Sequence, residues 1–293
     1  IDLKADAGRW DRIGTEHMSG SHKIQPSEIS CPLPDPLMAG KRGLVMGVAN
    51  KNSIAWGIAS MLFKHGAELA FTCQGEALDK RVRPLAESVD SEVVLRCDVE
   101  DSASIASVFD RLGKHWPTID FVVHTIAYSD KDELKGRYID TTRNNFLRTM
   151  DVSCYSFTAI AHRVAPLMPD GGGLLSLTFS GAKRVMPNYN VMGVAKAALE
   201  ASVLYLAADL GPQDIRVNAI SAGPMRTLAG SAIGDARHIL RWSQENAPLR
   251  RHLQLEDIGG AALYLLSDLS LSVTGEVHHV DSGFNTIGMP CPD

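Results

Sequence analysis

From Lys41 onward, short apolar runs alternate with segments of helical period, and this alternation constrains the fold more than any other feature. The runs are 43–49 (GLVMGVA), 68–73 (ELAFTC), 92–97 (EVVLRC), 119–124 (IDFVVH), 173–179 (GLLSLTF), 215–220 (IRVNAI) and 275–280 (GEVHHV). Helical patterns separate them at about 53–65, 76–88, 102–115, 141–167, 190–210 and 255–268. Strands that are apolar almost throughout need cover on both faces, which parallel sheets flanked by helices provide. The pattern predicts an α/β fold: a Rossmann-type, doubly wound, parallel seven-stranded sheet in a single domain, residues 37–293. Residues 1–36 are polar and aperiodic and end in CPLPDP. They read as an N-terminal tail expected to be disordered, because closely spaced prolines block helix and sheet alike.

In such a sheet, ligands bind beyond the carboxyl ends of the strands. The first run ends in Gly47, and Ser53, Ile54 and Gly57 follow at the start of a helix. A glycine there permits a sharp turn, a serine can cap the helix, and free helix N–H groups can hold a pyrophosphate. The glycines are spaced more widely than in G-x-G-x-x-G, so the spacing alone fits an ordinary strand–turn–helix equally well. Gln74, beyond the second strand, suits a ribose 2′-hydroxyl and offers no cation for a 2′-phosphate, although Lys80 and Arg81 are near in sequence. Asp98, beyond the third, could accept from an adenine amino group or cap the next helix. After the fourth, His124-Thr-Ile126-Ala127 is small enough to lie beside ribose and nicotinamide, and His124 reads as structural.

The chemistry is expected in Pro187-Asn-Tyr189-Asn-Val-Met-Gly193-Val-Ala-Lys196. Seven residues are about two helical turns, so Tyr189 and Lys196 share a face. The lysine stem leans back toward the tyrosine. An ammonium beside a phenol is expected to lower its pKa. A phenol so placed can donate a proton or hold an oxyanion next to a nicotinamide.

The formal charge of -5 gives no basic field for nucleic acid or an anionic membrane. No run was expected to reach the roughly 18–20 apolar residues of a bilayer span, and the opening stretch lacks the apolar core of a secretion signal. The five cysteines are odd in number and widely spaced, so neither a disulfide framework nor a metal site is expected. A reducing compartment fits best.

The segments GVANKNSIAWGIA, AELAFTCQ, CDVEDSASI, PNYNVMGVAKAALEA, RVNAISAGPMRTLA and GEVHHVDSGF together resemble the bacterial NADH-dependent enoyl-acyl-carrier-protein reductases. These form a divergent branch of the short-chain dehydrogenases/reductases. The resemblance runs from about Leu37 to Pro290. It implies reduction of trans-2-enoyl thioesters on acyl carrier protein in fatty acid elongation, with NADH as cofactor. It further implies a cytoplasmic homotetramer, with no membrane or nucleic-acid partner. Tyr189 would hold the enolate oxygen and Lys196 the nicotinamide ribose. Gly47, Ser53, Ile54, Gln74, Asp98, Val99, Ile126, Met225 and Thr227 match the family's cofactor contacts. Residues 225–236 (MRTLAGSAIGDA) match its substrate loop, in which Met225, Leu228 and Ile233 would meet an acyl chain together with Ala127 and Tyr189. Two positions depart from the pattern. Phe179 stands where a second tyrosine is usual near the thioester, and Ala127 where glycine is common. The ordinary superfamily lysine position, four after the tyrosine, is Gly193. A ketone or aldehyde reductase, or a non-catalytic NAD-binding protein, remains open on the same scaffold.

Overall fold

The computed structural model describes residues 36–227, 230 and 236–289. Residues 1–35, assigned above to the tail, lie outside the described residues, as do Leu228 and Ile233. Seven parallel strands form one sheet: β1 (Arg42–Met46), β2 (Glu68–Cys73), β3 (Val94–Arg96), β4 (Phe121–His124), β5 (Gly172–Thr178), β6 (Ile215–Ala222) and β7 (Val277–Val280). Their order is β3-β2-β1-β4-β5-β6-β7, so the winding reverses between β1 and β4. Chains leaving those two strands turn to opposite sides, which opens a crevice at their carboxyl ends.

Because successive strand residues face opposite ways, each strand feeds two cores. Leu44, Met46, Val122, Leu174 and Val217 pack on one face. There they meet α3 (Ser102–His115), α5 (Ser156–Val164) and α6 (Asn190–Leu210). Val45, Phe121, Val123, Leu175 and Ile220 pack on the other. That face is covered by α1 (Ile54–Lys64), α2 (Gly75–Glu87) and α8 (Leu255–Leu266).

Three readings need correction. The segment expected as one regular helix over 141–167 is α4 (Arg143–Met150), a π turn at Asp151–Tyr155, and α5. The wider turn lets Ser153 Oγ bond both backbone groups of Tyr128, accepting from its N–H and donating to its carbonyl at 3.0 Å each. A further helix, α7 (Ala236–Asn246), falls in a stretch assigned no element from sequence. Helix α6, continued to Gln213, is long and apolar enough to span a membrane by length and composition, contrary to the expectation that no run is. Its Leu199, Val203, Leu206 and Leu210 fill the core, as in the central helix of a globular domain.

Gly57 serves helix-to-helix packing. A Cβ on Gly57 would lie 2.7 Å from Leu255 Cβ, and one on Gly259 would lie 3.0 Å from the Gly57 carbonyl oxygen. Helices α1 and α8 therefore touch backbone to backbone. Gly57→Val is expected to destabilise the fold by about 1–3 kcal/mol through overpacking. Urea unfolding checks this, and an unchanged midpoint would show that the two helices can part at no cost.

Candidate active site

A cleft of about 570 Å³ runs along the carboxyl edge of the sheet, with walls from the ends of β1 to β6. At the end of β1, Gly47 has φ +97°, and a Cβ there would lie 2.3 Å from Thr125 Oγ1. Only glycine lets the two strand ends approach so closely. Ser53 occupies the N-cap position of α1, but its side chain does not cap the helix. Its Oγ accepts from Ala49 N–H and Asn50 N–H, each at 3.0 Å. That leaves the hydroxyl proton, and the first N–H groups of α1, to an acceptor in the cleft. Ile54 lines the same wall.

Gln74 is exposed at the rim beyond β2. Lys80 pairs with Glu76 at 3.0 Å, and neither Lys80 nor Arg81 is part of the lining. Cys73, Cys97 and Val99 form the floor here. Asp98 is not among the lining residues, and its carboxylate accepts from Glu100 N–H at 3.1 Å. The capping alternative falls to Asp101, which accepts from Ala103 N–H at 2.9 Å.

Beyond β4, Ile126 and Ala127 line the cleft, and Ser153 fixes the following residue. His124 is fully buried between Ser176 Oγ (3.1 Å) and Ser156 Oγ (2.9 Å). Burial, aided by the Lys196 charge, pushes its pKa down to about 3. It is a neutral structural histidine, as the sequence suggested. A group missed from sequence closes this side. Arg148 on α4 bonds Glu100 through two nitrogens at 2.8 and 2.9 Å, with its guanidinium 4.2 Å from the Tyr128 ring centre.

Tyr189 and Lys196 line the same cleft. Tyr189 sits one residue before α6, and both side chains are buried. Lys196 Nζ donates to the Leu177 carbonyl at 2.8 Å, which anchors it to the end of β5. Burial lowers its pKa to about 8 against the opposing pull of Cys154 and Glu200. Burial raises the Tyr189 phenol above its ordinary range, with no lowering by Lys196. The expectation of an acidified phenol is therefore wrong: desolvation alone moves the group, and the ammonium does not act on it. The group is a protonated donor at neutral pH.

The seven-residue spacing has a steric cause. A Cβ on Gly193 would lie 2.8 Å from the Gly181 carbonyl oxygen, and one on Gly181 would lie 2.4 Å from the Tyr189 ring. No lysine stem fits at position 193 without moving that backbone. Phe179 meets Tyr189 edge to face at 5.2 Å and 69°. Thr178 also lines the cleft and donates to Glu200 Oε1 at 2.8 Å. Glu200 could have been found from sequence, since it lies one turn after Lys196 in the same motif.

A second cavity of about 230 Å³ opens beside Tyr189 and Phe179 and shares Ala127 and Thr227 with the first. Its other walls include Leu134, Met192, Met225, Ile239 and Leu240. Met225 is thus on the apolar cavity and not on the longer cleft where it was also expected to touch cofactor. The glycine cradle, the serine proton and the free helix turn at one end fit a dinucleotide's pyrophosphate. A buried ammonium and phenol at the other end fit its nicotinamide half.

A family model described as Enoyl-(Acyl carrier protein) reductase matches residues 47–285. The chain is 66% identical over 254 residues to Enoyl-[acyl-carrier-protein] reductase [NADH] 2 of Rhizobium meliloti, covering 87% of this chain and 95% of that protein. It is 53% identical to the Rickettsia typhi enzyme FabI, over 86% of this chain and 97% of the other. Among solved structures, FabI from Candidatus Liberibacter asiaticus aligns with TM-score 0.86 at 56% identity, covering 88% of this chain and 100% of that one. The Anaplasma phagocytophilum reductase, solved in complex with NAD, aligns with TM-score 0.85 at 56% identity, over 88% and 99%. The chain belongs to the enoyl-acyl-carrier-protein reductase family.

Proposed function

We propose that the protein reduces trans-2-enoyl thioesters carried on acyl carrier protein, using NADH, and that Tyr189 and Lys196 carry the chemistry. The observation that supports this best is their shared position. Phenol and ammonium face one cleft, and the phenol stands where the apolar cavity joins it. NADH, when bound, supplies the hydride.

The chain's own residues do the rest. Gly47, Ser53 and Ile54 hold the pyrophosphate, Gln74 the adenosine ribose, and Val99 and Ile126 the floor of the cleft. Asp98 takes part through the backbone of its turn. Lys196 donates to the nicotinamide ribose. The Tyr189 hydroxyl donates to the thioester oxygen as negative charge develops there, the setting in which a pre-oriented donor helps most. Thr227 closes the cleft. Ala127, Phe179, Met225 and, outside the described residues, Leu228 and Ile233 keep water from the acyl chain.

The catalytic domain is residues 37–293, and the working form is a cytoplasmic homotetramer. Leu204 and Tyr205 on α6 support self-association: they are apolar side chains left 57% and 76% exposed side by side. A panel of enoyl thioesters with NADH or NADPH tests the activity. Turnover on simple ketones or aldehydes without turnover on any enoyl thioester would overturn it.

Replacing Tyr189 with Phe removes one donor and leaves the ring. Turnover is expected to fall about 10²–10³-fold, with NADH affinity little changed. Steady-state rates and fluorescence titration with NADH check this, and undiminished turnover would remove Tyr189 from the mechanism.

The lysine makes a pH prediction. Its charged form is the donor and exists below about pH 8. kcat/KM for NADH is therefore expected to fall as pH rises through about 8, because this ratio reports ionisations of the free enzyme. The phenol, held above its usual range, adds no limb near neutrality. A profile flat from neutral to alkaline pH would contradict the role given to Lys196.

A further inference from the structure

Two consecutive residues at the end of β5 are tied to two residues one turn apart on α6. The Leu177 carbonyl accepts from Lys196 Nζ at 2.8 Å, and Thr178 Oγ1 donates to Glu200 Oε1 at 2.8 Å. The Glu200 side chain is only 11% exposed, and its other oxygen lies 3.9 Å from Lys183 Nζ, on the turn after Phe179. Thr178 faces both the long cleft and the apolar cavity. A buried carboxylate is costly unless it is paired and hydrogen-bonded, and Glu200 has Thr178 and Lys183 as partners.

We propose that Glu200 is a positioning residue of the reductase site, holding the Lys196 ammonium in its charged form and keeping the Thr178–Phe179 wall in register with α6. The proposal rests on the ribose-binding role of Lys196 given above. Positions 196 and 200, four apart on α6, lie on the same side of the helix, where the carboxylate acts on the ammonium through space. Other groups also face Lys196. His124, on β4, is neutral through the working range, so it adds no opposing charge. Tyr189 remains a neutral phenol. The Leu177 carbonyl accepts from the ammonium, and Cys154 on the π turn and Glu200 both favour its charge, working against the burial that sets the lysine near 8. Of these, Glu200 is the carboxylate, and it is the one tied to the Thr178 wall. Lys183, exposed over about half its side chain, competes for the same carboxylate.

The test is the pH profile of kcat/KM for NADH in four proteins. Glu200→Gln keeps the shape and can still accept from Thr178, but it lacks the charge. Its alkaline limb is expected to move down by about half a unit to one unit. Thr178→Val loses the hydrogen bond and keeps the charge, so its limb stays in place while the KM for enoyl thioester rises. Lys183→Met, at a half-exposed position, frees the carboxylate and is expected to move the limb up by a few tenths of a unit. A wild-type profile without the limb would defeat the reading of Lys196 itself. A wild-type limb that neither Glu200→Gln nor Lys183→Met displaces would overturn the positioning role alone. Should Glu200→Gln fail to fold, Lys183→Met decides.

Discussion

Lys196 is 6% exposed, and keeping its ammonium charged so far from water is the constraint around which the site is organised. An isolated buried ammonium would lose its proton rather than bear the desolvation cost. Here the cost is partly offset: a main-chain carbonyl accepts from it and a carboxylate lies one turn along the same helix. These partners leave it titrating near 8, charged at neutral pH but not strongly so. The same burial acts on Tyr189 in the opposite sense and keeps the phenol protonated. The same burial thus leaves two proton donors of different kinds, a cation and a neutral hydroxyl.

That burial arises because backbones approach one another where side chains are missing. Gly47 lets the ends of β1 and β4 close up, and Gly181 and Gly193 let the turn after β5 press on α6 and on the phenol ring. Behind them, Gly57 and Gly259 bring α1 and α8 together under the other face. Filling any of these contacts would displace the end of a strand or helix that carries a site residue. Stability and chemistry are coupled here through the backbone, since close packing leaves little room to relax.

The layered architecture was legible because its cause is local. The central strands are apolar on both faces, and helices such as α3 and α5 repeat their apolar residues at helical spacing. Four helices, 54–64, 75–87, 102–115 and 190–210, fall at or within a residue of where the periodicity puts them. Tyr189, Lys196 and Gly47 were legible because turn chemistry and helical spacing fix their places. What escaped was set by contacts between distant segments. The π turn exists where Ser153 reaches back to Tyr128, and no periodicity signals that. The Arg148–Glu100 pair joins residues 48 apart in sequence. The acidified phenol was misjudged because spacing shows a neighbouring charge but not how much water has been removed. Ser53 was read as a cap from its position, whereas its oxygen turns back to the loop before it.

Phe179 shows what a single missing oxygen changes in such a site. Its ring still packs edge to face on Tyr189, an arrangement aromatic pairs favour, so it still holds the phenol in place. With no hydroxyl of its own, it contributes an apolar wall shared by the cleft and the adjoining cavity. Ala127 adds a methyl at the same junction. Both departures make the passage between the two spaces more apolar, and neither adds a competing donor. The hydrogen bond to a developing oxyanion proposed above for Tyr189 therefore has no second hydroxyl from Phe179 beside it, and the phenol's orientation depends on the contact with Phe179 and the close backing of Gly181.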